Sequence, residues 1–550
     1  MAASNPSPCT QIVAHPPSPA SSLLPELLLN IFEHLVARSS PTILLRICRR
    51  WADIASSVSS LWTRIDFSTP PTPLLQRSTD LPIEVDLSFS PDAPTVDQLM
   101  AAKEVLSLHC DRIRKLVLDL SVRCLKKVMP EFQATFPILE DVTIAVLPTN
   151  HCSIPTLELP GWTPFAAPST IRYLRLLFVK APWVTGHFRN LAEFFLHEQR
   201  YDDPPMEVFL GVLESSPQLT VLSVANAGPQ LPRDNVTLLP VTRIVHLPNL
   251  QQLYLEQGDA RDVGWILIHL NIPVFTNVRI LVDLSEGDQV DVPLHLVFDL
   301  ALPDHHGFPH LTNPHCCTYA VDNRPSCTII APNFAFRAIW DDDDDDHYNY
   351  FLLPFLRRVT AAGAIEDLSI ISDVDTQYSL SEWNWNEIFG ALGSLRKLRV
   401  KQAQDDSAFP ISELLQSQLC PTLRDLELSC VVFGGEREGE WLGDPVVDKL
   451  VDCCVEQDRR GHRLEHLVIE APSNVPPNLA SLLALHVGYV EIRGDVLRDE
   501  IVENLEFGSG QVFDSLRACG HDKSYTWSKK FCSPRPSIYT PATINWKFVV

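Results

Sequence analysis

The segment Leu250-Gln251-Gln252-Leu253-Tyr254-Leu255 carries the pattern that predicts the fold: apolar residues at its first, fourth and sixth positions. The same apolar-x-x-apolar-x-apolar pattern begins at Ile113, Leu139, Ile171, Leu191, Leu219, Leu250, Ile365, Leu395, Leu423 and Leu464. Many successive starts lie about 28 residues apart, and a fixed period of this length is typical of repeat architectures. A poorer match starts at Val278, and the long interval from there to Ile365 predicts two degenerate repeats between residues 279 and 364.

Apolar residues at helical spacing precede several of these segments. They are Met206, Phe209, Val212 and Leu213; Trp385, Ile388, Phe389 and Leu392; and Val447, Leu450, Val451 and Cys454. Each unit is therefore predicted to be a helix, a turn and a short strand. One such unit cannot bury its own apolar face, so the units must stack. The predicted fold class is α/β, a solenoid with a parallel inner sheet and outer helices.

The first 67 residues have a different character. Residues 1–21 are dominated by Pro, Ser and Ala and predict a disordered leader. From Ser22 onward, apolar residues recur at helical spacing in two runs, the first from Leu27 to Leu35 and the second from Leu44 to Ala55. Residues 22–67 are therefore predicted to form a small, all-helical unit of two or three short helices.

Composition and charge exclude several partner classes. The chain has 44 Lys and Arg against 68 Asp and Glu, a net charge of −24, which disfavours nucleic acid and anionic membranes as partners. No apolar stretch approaches the roughly 20 residues needed to span a bilayer, and no secretory signal is visible. The 14 cysteines include no C-x-x-C pair. These features predict a reduced, intracellular protein, cytoplasmic or nuclear or both.

Motifs for catalysis and for metal binding are missing from the sequence. None of G-x-S-x-G, G-x-x-x-x-G-K-[ST], G-x-G-x-x-G or H-E-x-x-H occurs, so we predict no enzymatic activity, no catalytic residue and no cofactor. The metal-capable side chains His305, His306, His310, His315, Cys316 and Cys317 match no zinc spacing. The run Asp341–Asp346 lacks the Gly turn and distal Glu of a calcium loop and predicts an acidic insertion.

Two parts of the chain resemble known families. Leu24-Pro25-Glu26-Leu27-Leu28, Ile31-Phe32 and Leu35, then Cys48-Arg49-Arg50-Trp51 and Leu61-Trp62, resemble an F-box, with the fungal F-box-like proteins particularly close. The repeated pattern resembles leucine-rich repeats, although Ala227, Gly258, Ala403 and Val431 replace the usual Asn or Cys. The resemblance implies an F-box at 22–67, a degenerate leucine-rich-repeat solenoid at 68–506 and a tail at 507–550.

This combination implies the substrate-recognition subunit of an SCF-type cullin–RING ubiquitin ligase. The F-box would bind the SCF adaptor subunit and, through it, the cullin, and the repeats would bind an unidentified protein client. The first helix carries more apolar residues than one stripe can bury, which indicates a partner or the first repeats as its cover. The resemblance and these patterns place the following in or beside the adaptor interface: Leu24, Pro25, Leu28, Ile31, Phe32, Leu35, Trp51, Leu61 and Trp62. For Trp51 and Trp62, a place in the core of the unit is an equally open alternative.

Side chains alternate along a strand, so the positions between the template residues are predicted to face a solvated, concave side. The client-binding residues predicted on this basis are Tyr173, Arg175, Phe195, His197, Tyr254, Lys397, Arg399 and Lys401. The basic row Lys397, Arg399 and Lys401 suits an acidic or phosphorylated client segment. Two alternatives stay open: a leucine-rich-repeat scaffold with no ubiquitin role and, more distantly, a hydrolase without a recognisable motif.

Overall fold

The computed structural model describes residues 23–36, 40–67, 69–88, 94–128, 130, 136–147, 157–158, 170–180, 188–199, 204–229, 243–284, 294–302, 316–321, 326–339, 356, 365–372, 385–402, 422–429, 445–470 and 479–493. Four predicted features therefore lie outside the described residues: the leader 1–21, most of the histidine cluster, the acidic run 341–346 and the tail 507–550.

The helices are α1 (Pro25–Val36), α2 (Leu44–Ile47), α3 (Arg49–Ser57), α4 (Thr72–Ser78), α5 (Val96–Leu108), α6 (Val122–Val128), α7 (Met206–Glu214), α8 (Ala260–Leu267), α9 (Leu294–Ala301), α10 (Trp385–Ala391), α11 (Pro445–Arg459) and α12 (Leu479–Leu483). Short 3-10 turns span Pro41–Ile43, Ser59–Trp62 and Cys110–Arg112.

The strands are β1 (Arg64–Ile65), β2 (Ile83–Ser88), β3 (Ile113–Ser121), β4 (Asp141–Leu147), β5 (Leu157–Glu158), β6 (Tyr173–Leu177), β7 (Val179–Lys180), β8 (Glu193–His197), β9 (Val221–Ala225), β10 (Val245–His246), β11 (Gln252–Gln257), β12 (Leu270–Asn271), β13 (Asn277–Asp283), β14 (Cys316–Val321), β15 (Ser326–Ala331), β16 (Phe334–Ile339), β17 (Asp367–Ser372), β18 (Lys397–Gln402), β19 (Asp425–Ser429), β20 (His466–Glu470) and β21 (Tyr489–Arg493).

The described residues divide into two compact units, one ending at Leu139 and one beginning at Glu140. The first unit holds the N-terminal helices and the parallel strands β1, β2 and β3, in that order. Its helix α5 starts with a capping box, in which the Thr95 side chain accepts from the Gln98 backbone N–H and Gln98 accepts in return from Thr95. The predicted helices of residues 22–67 are confirmed, but the unit is not all-helical, because Arg64–Ile65 forms β1.

The second unit is built on a sheet in which successive repeat segments supply neighbouring strands. The strands β4, β6, β8, β9, β11 and β13 pair in parallel in that order. Template residues stay in register, as in the ladder Phe194↔Leu222↔Leu253. In all ten clear copies of the pattern, each template residue is no more than 2% exposed. The period therefore places one row of apolar side chains after another in the core.

A second parallel series, β17 to β21, repeats this arrangement. The stripes that predicted helices before three of the strands form α7, α10 and α11, as expected.

The described residues between 279 and 364 do not show the two hidden repeats that the spacing predicts. In the described part of this region, β14, β15 and β16 form an antiparallel meander, with β16 paired in parallel to β13 and β14 in parallel to β17. The meander keeps the core row continuous, because Phe336, Ile329 and Tyr319 are register partners and are fully buried. Antiparallel strands need only short connections, without the helix that separates successive parallel strands. Their spacing in the sequence is therefore much shorter than 28 residues, and a search for that period does not detect them.

Candidate partner-binding surfaces

Helix α1 has a buried and an exposed apolar side. Leu28 and Phe32 are fully buried, and the Phe32 ring lies 4.8 Å from the Trp51 ring between centroids. Leu27, Ile31 and Leu35, spaced four residues apart, are exposed. Residues at this spacing share one side of a helix, so the exposed residues form a stripe that the described chain does not cover.

Further exposed apolar residues lie beside this stripe in sequence and on the neighbouring elements. Leu24, just before α1, is exposed, as are Ile43 in the following 3-10 turn and Ile47 at the end of α2. Helix α1 packs against both this turn and α3. The six residues Leu24, Leu27, Ile31, Leu35, Ile43 and Ile47, here called the N-terminal apolar set, are 37–63% exposed. So many large apolar side chains in one small helical region are typical of a protein-binding surface.

The structure corrects four of the nine predicted adaptor-binding residues. Leu28, Phe32, Leu61 and Trp62 are at most 3% exposed, because they form the core on which the helices pack. The Trp62 indole N–H donates to the Ala55 carbonyl oxygen at 2.8 Å, which fixes the ring inside the chain. These four side chains therefore cannot be presented to a partner.

Of the other five predicted residues, Leu24, Pro25, Ile31 and Leu35 are exposed and Trp51 is half-buried. Sequence reasoning missed Leu27, Ile43 and Ile47. The exposure of Leu27 could have been predicted from its spacing, because Leu27 lies on the same side of α1 as Ile31. Ile43 and Ile47 depend on how the 3-10 turn orients α2, which the spacing of apolar residues does not specify.

The N-terminal helices continue directly into the sheet of the first unit. Ile65 of β1 pairs with Val85 of β2, and the Arg77 guanidinium of α4 lies 4.8 Å from the centre of the Trp62 ring. Arg64 also forms an ion pair with Asp86 at 3.1 Å. These contacts join the helices to the strands within one compact unit.

The predicted solvated side of the second sheet is buried over its first half. Arg175, Phe195, His197 and Tyr254 are all 4–8% exposed, and Tyr173 is half-buried. Parallel sheets are usually covered on both faces, so alternation along a strand does not by itself imply solvent on one side. The expectation that the side chains face solvent is wrong for the four buried residues, and Tyr173 faces solvent only in part.

The buried groups on this side are paired with one another. Arg175 donates to Asp141 at 3.1 Å and to Glu193 at 2.6 Å, and its guanidinium lies 5.2 Å from the Phe195 ring centre. His197 Nε2 lies 2.8 Å from Ser223 Oγ. Burial lowers the pKa of His197 to about 4, so the ring is neutral at neutral pH. The contact between His197 and Ser223 therefore lies in the interior and stabilises the fold, since Ser223 is only 1% exposed.

Tyr254 belongs to the same buried row. Its hydroxyl donates to Glu256. Burial, with the negative charge of Glu256, raises the pKa of Tyr254 well above its usual value.

The second half of the same side, over β17 to β21, is charged and partly open. The side chains of Lys397, Arg399 and Lys401 on β18 are 28–33% exposed. Arg399 lies 3.1 Å from Asp367 and 3.3 Å from Glu427, while Lys401 lies 3.8 Å from both Glu427 and Glu470.

The acidic partners extend this pattern to the last strand. Burial raises the pKa of Glu470, but hydrogen bonds from Ser429 and Arg493 and the charge of Lys401 outweigh it, so the pKa is lowered. Charges of both signs are therefore distributed over five neighbouring strands, with four cations and four carboxylates. We call this the charged ladder: Asp367, Lys397, Arg399, Lys401, Glu427, Glu470, Glu491 and Arg493. The basic row is part of this balanced network, and each of its cations lies within 4.0 Å of a carboxylate.

Two further properties of the described residues concern metal binding and membrane crossing. Within those ranges, no group of three or more His, Cys, Asp or Glu side chains is arranged to hold a metal ion. No helix of the described chain has the length and apolarity needed to cross a membrane.

The N-terminal helices lie within a stretch that matches a known sequence family. Residues 22–68 match the F-box-like family. The F-box-like domain thus covers α1 to α3, the turn that holds Trp62 and strand β1. No curated protein matches the chain. The F-box-like domain suggests an SCF substrate-adaptor role, because F-box domains bind the adaptor subunit that links them to cullin. F-box proteins are generally adaptors rather than enzymes.

Proposed function

We propose that this protein is the substrate-recognition subunit of an SCF-type ubiquitin ligase. The observation that carries the proposal is the N-terminal apolar set, six large apolar side chains left exposed by an F-box-like domain. Exposing apolar area costs roughly 25 cal/mol per Å², so covering this set with the adaptor would supply much of the binding free energy.

The charges around the apolar set suggest the character of the adaptor surface. Arg46 and Arg49 are exposed on α2 and at the start of α3, close in sequence to Ile43 and Ile47. A complementary partner would present an apolar centre with acidic groups at its rim, because opposite charges at a rim speed association and select the partner.

The second unit would hold the client. We propose that its parallel strands and preceding helices form a degenerate leucine-rich-repeat solenoid, with the charged ladder as the client-binding surface. The first half of this side is buried, which leaves β17 to β21 as the open part. A client segment with charges of both signs would fit the ladder better than a purely acidic one, because carboxylates already neutralise the basic row.

Such a receptor would contribute to catalysis through proximity alone. Holding a client lysine near a charged ubiquitin-conjugating enzyme converts an encounter between free molecules into a step within one complex. Well-oriented positioning of this kind is worth several kcal/mol without any chemistry by the receptor.

The test is binding of the purified adaptor–cullin pair to the full chain and to the double variant Ile31→Asp/Leu35→Asp. Both side chains are exposed on α1, so the variant is expected to fold normally and to bind the adaptor at least 100-fold more weakly. Val274→Asp is a control, because Val274 is also an exposed apolar residue but lies in the second unit.

Undiminished binding by the double variant would refute the interface assignment. Failure of the unmodified chain to bind the pair would refute the ligase role and leave the repeat scaffold as the better description. Unchanged circular dichroism and thermal unfolding of the variant would exclude misfolding as the cause of lost binding.

A further inference from the structure

The last described strand, β21, has one edge that no described strand occupies. It pairs in parallel with β20, from His466↔Tyr489 to Glu470↔Arg493. Its core-side residues Val490 and Ile492 are only half-buried, whereas their partners Leu467 and Ile469 are fully buried. An unpaired edge with a partly open core requires a cover, since it would otherwise pair with other chains.

Exposed apolar residues just before β21 and at its first position indicate the same need. Leu485 is 67% exposed and Tyr489 is 54% exposed, and Leu482 on α12 is also exposed. The residues that precede the strands at the first position of the pattern are buried throughout: Val487 before β21, Leu464 before β20 and Leu423 before β19 are each at most 2% exposed. Among the described residues, the exposed apolar area at this end therefore lies on α12, on Leu485 and on β21 itself, and repeat proteins need such an end capped.

The chain itself contains a segment whose sequence suits this edge. Residues 544–549 read Ile-Asn-Trp-Lys-Phe-Val, in which apolar and polar residues alternate strictly until the final Val549. Alternation with β-branched and aromatic residues is the sequence pattern of a half-buried strand. The 50 intervening residues, 494–543, can extend over about 165 Å at most, so the connection allows the segment to reach β21.

We propose that residues 544–549 add to the free edge of β21 as a capping strand. In the parallel register that fits best, Trp546 lies opposite Val490 and Phe548 opposite Ile492, which extends the core row by one strand. The same register puts Lys547 opposite Glu491, so the charged ladder also gains a cation beside its last carboxylate. A one-residue shift would place Lys547 opposite Val490 or Ile492 and move the aromatic rings away from the core. A two-residue shift towards the end of β21 would place Lys547 opposite Arg493, a like charge, so the first register is favoured.

Hydrogen–deuterium exchange of the full chain tests the proposal. Amides of Tyr489–Arg493 that do not bond to β20 should exchange at least tenfold more slowly in the unmodified chain than in the variant Trp546→Asp/Phe548→Asp. Val512→Asp/Phe513→Asp is the matched control, because it adds the same two negative charges elsewhere in the sequence after β21. Amides of His466–Glu470 provide an internal reference that should not change.

A charge swap tests the register. Lys547→Glu should raise the exchange rate of the β21 amides, and adding Glu491→Lys should restore it. Equal exchange in the unmodified chain and the Trp546→Asp/Phe548→Asp variant would overturn the proposal. Protection that depends on protein concentration and accompanies a dimer in light scattering would assign the edge to a second copy instead. Protection seen only after a client is added would likewise overturn it.

Discussion

The buried His197 ring makes the stability of the second unit sensitive to acid. Its pKa lies near 4 in the folded chain, against an ordinary value of 6.5, because burial penalises the charged imidazolium. Between these two values the unfolded chain binds a proton that the folded chain does not. The free energy of unfolding therefore falls as the pH is lowered from 6.5 towards 4.

The size of the effect follows from the shift. One pKa unit corresponds to 1.36 kcal/mol, so the 2.5-unit difference amounts to about 3 kcal/mol between pH 6.5 and pH 4. In the variant His197→Gln the side chain does not titrate. Its unfolding free energy should therefore lose about 3 kcal/mol less than that of the unmodified chain over the same pH range.

The assay has two parts. Hydrogen exchange at the imidazole carbon, followed by mass spectrometry, measures the pKa and accessibility of each histidine separately. His197 should exchange slowly with a midpoint near pH 4, and the exposed His466 serves as a control for fast access to solvent. Urea unfolding of both chains at several pH values then measures the difference in stability. A normal midpoint for His197, or identical pH dependence in the two chains, would refute the assignment of His197 to a buried row.

Two further predictions concern the C-terminal strands. Gly488→Ala should destabilise the pairing of β20 with β21 by about 1–3 kcal/mol, because a Cβ at this position would lie 2.8 Å from the Glu465 carbonyl oxygen. Faster amide exchange in β21 would measure this effect. Gly390→Ala is the control, because its Cβ would meet no atom within 4 Å. Reversing Lys397, Arg399 and Lys401 to Glu should weaken capture of a client at least tenfold, measured once a client is known. Unchanged capture would remove the charged ladder from the client surface.

The parallel sheet could be predicted because its signal is local and repeated. Each template residue, such as Leu253, is required by the same packing in every unit, so the pattern survives even where individual repeats are poor. The β14–β16 meander could not be predicted in this way, because an antiparallel turn needs no helix and leaves no period.

Whether a residue lies on a buried or an exposed face was harder to predict than the helix or strand that contains it. Phe195 and His197 occupy positions that alternate away from the core row, yet both are buried. Burial there depends on what covers the second face, which no local pattern encodes. In the F-box-like domain, Phe32 and Ile31 are neighbours of similar hydrophobicity, and only the packing of α1 against α3 decides which one is buried.

The most direct test of the ligase role is affinity capture from cells with the full chain and with Ile31→Asp/Leu35→Asp, followed by mass spectrometry. The adaptor and cullin should be recovered with the full chain and lost with the variant, while client proteins should be recovered with both. Absence of adaptor and cullin from the full-chain sample, or equal recovery with the variant, would contradict this role.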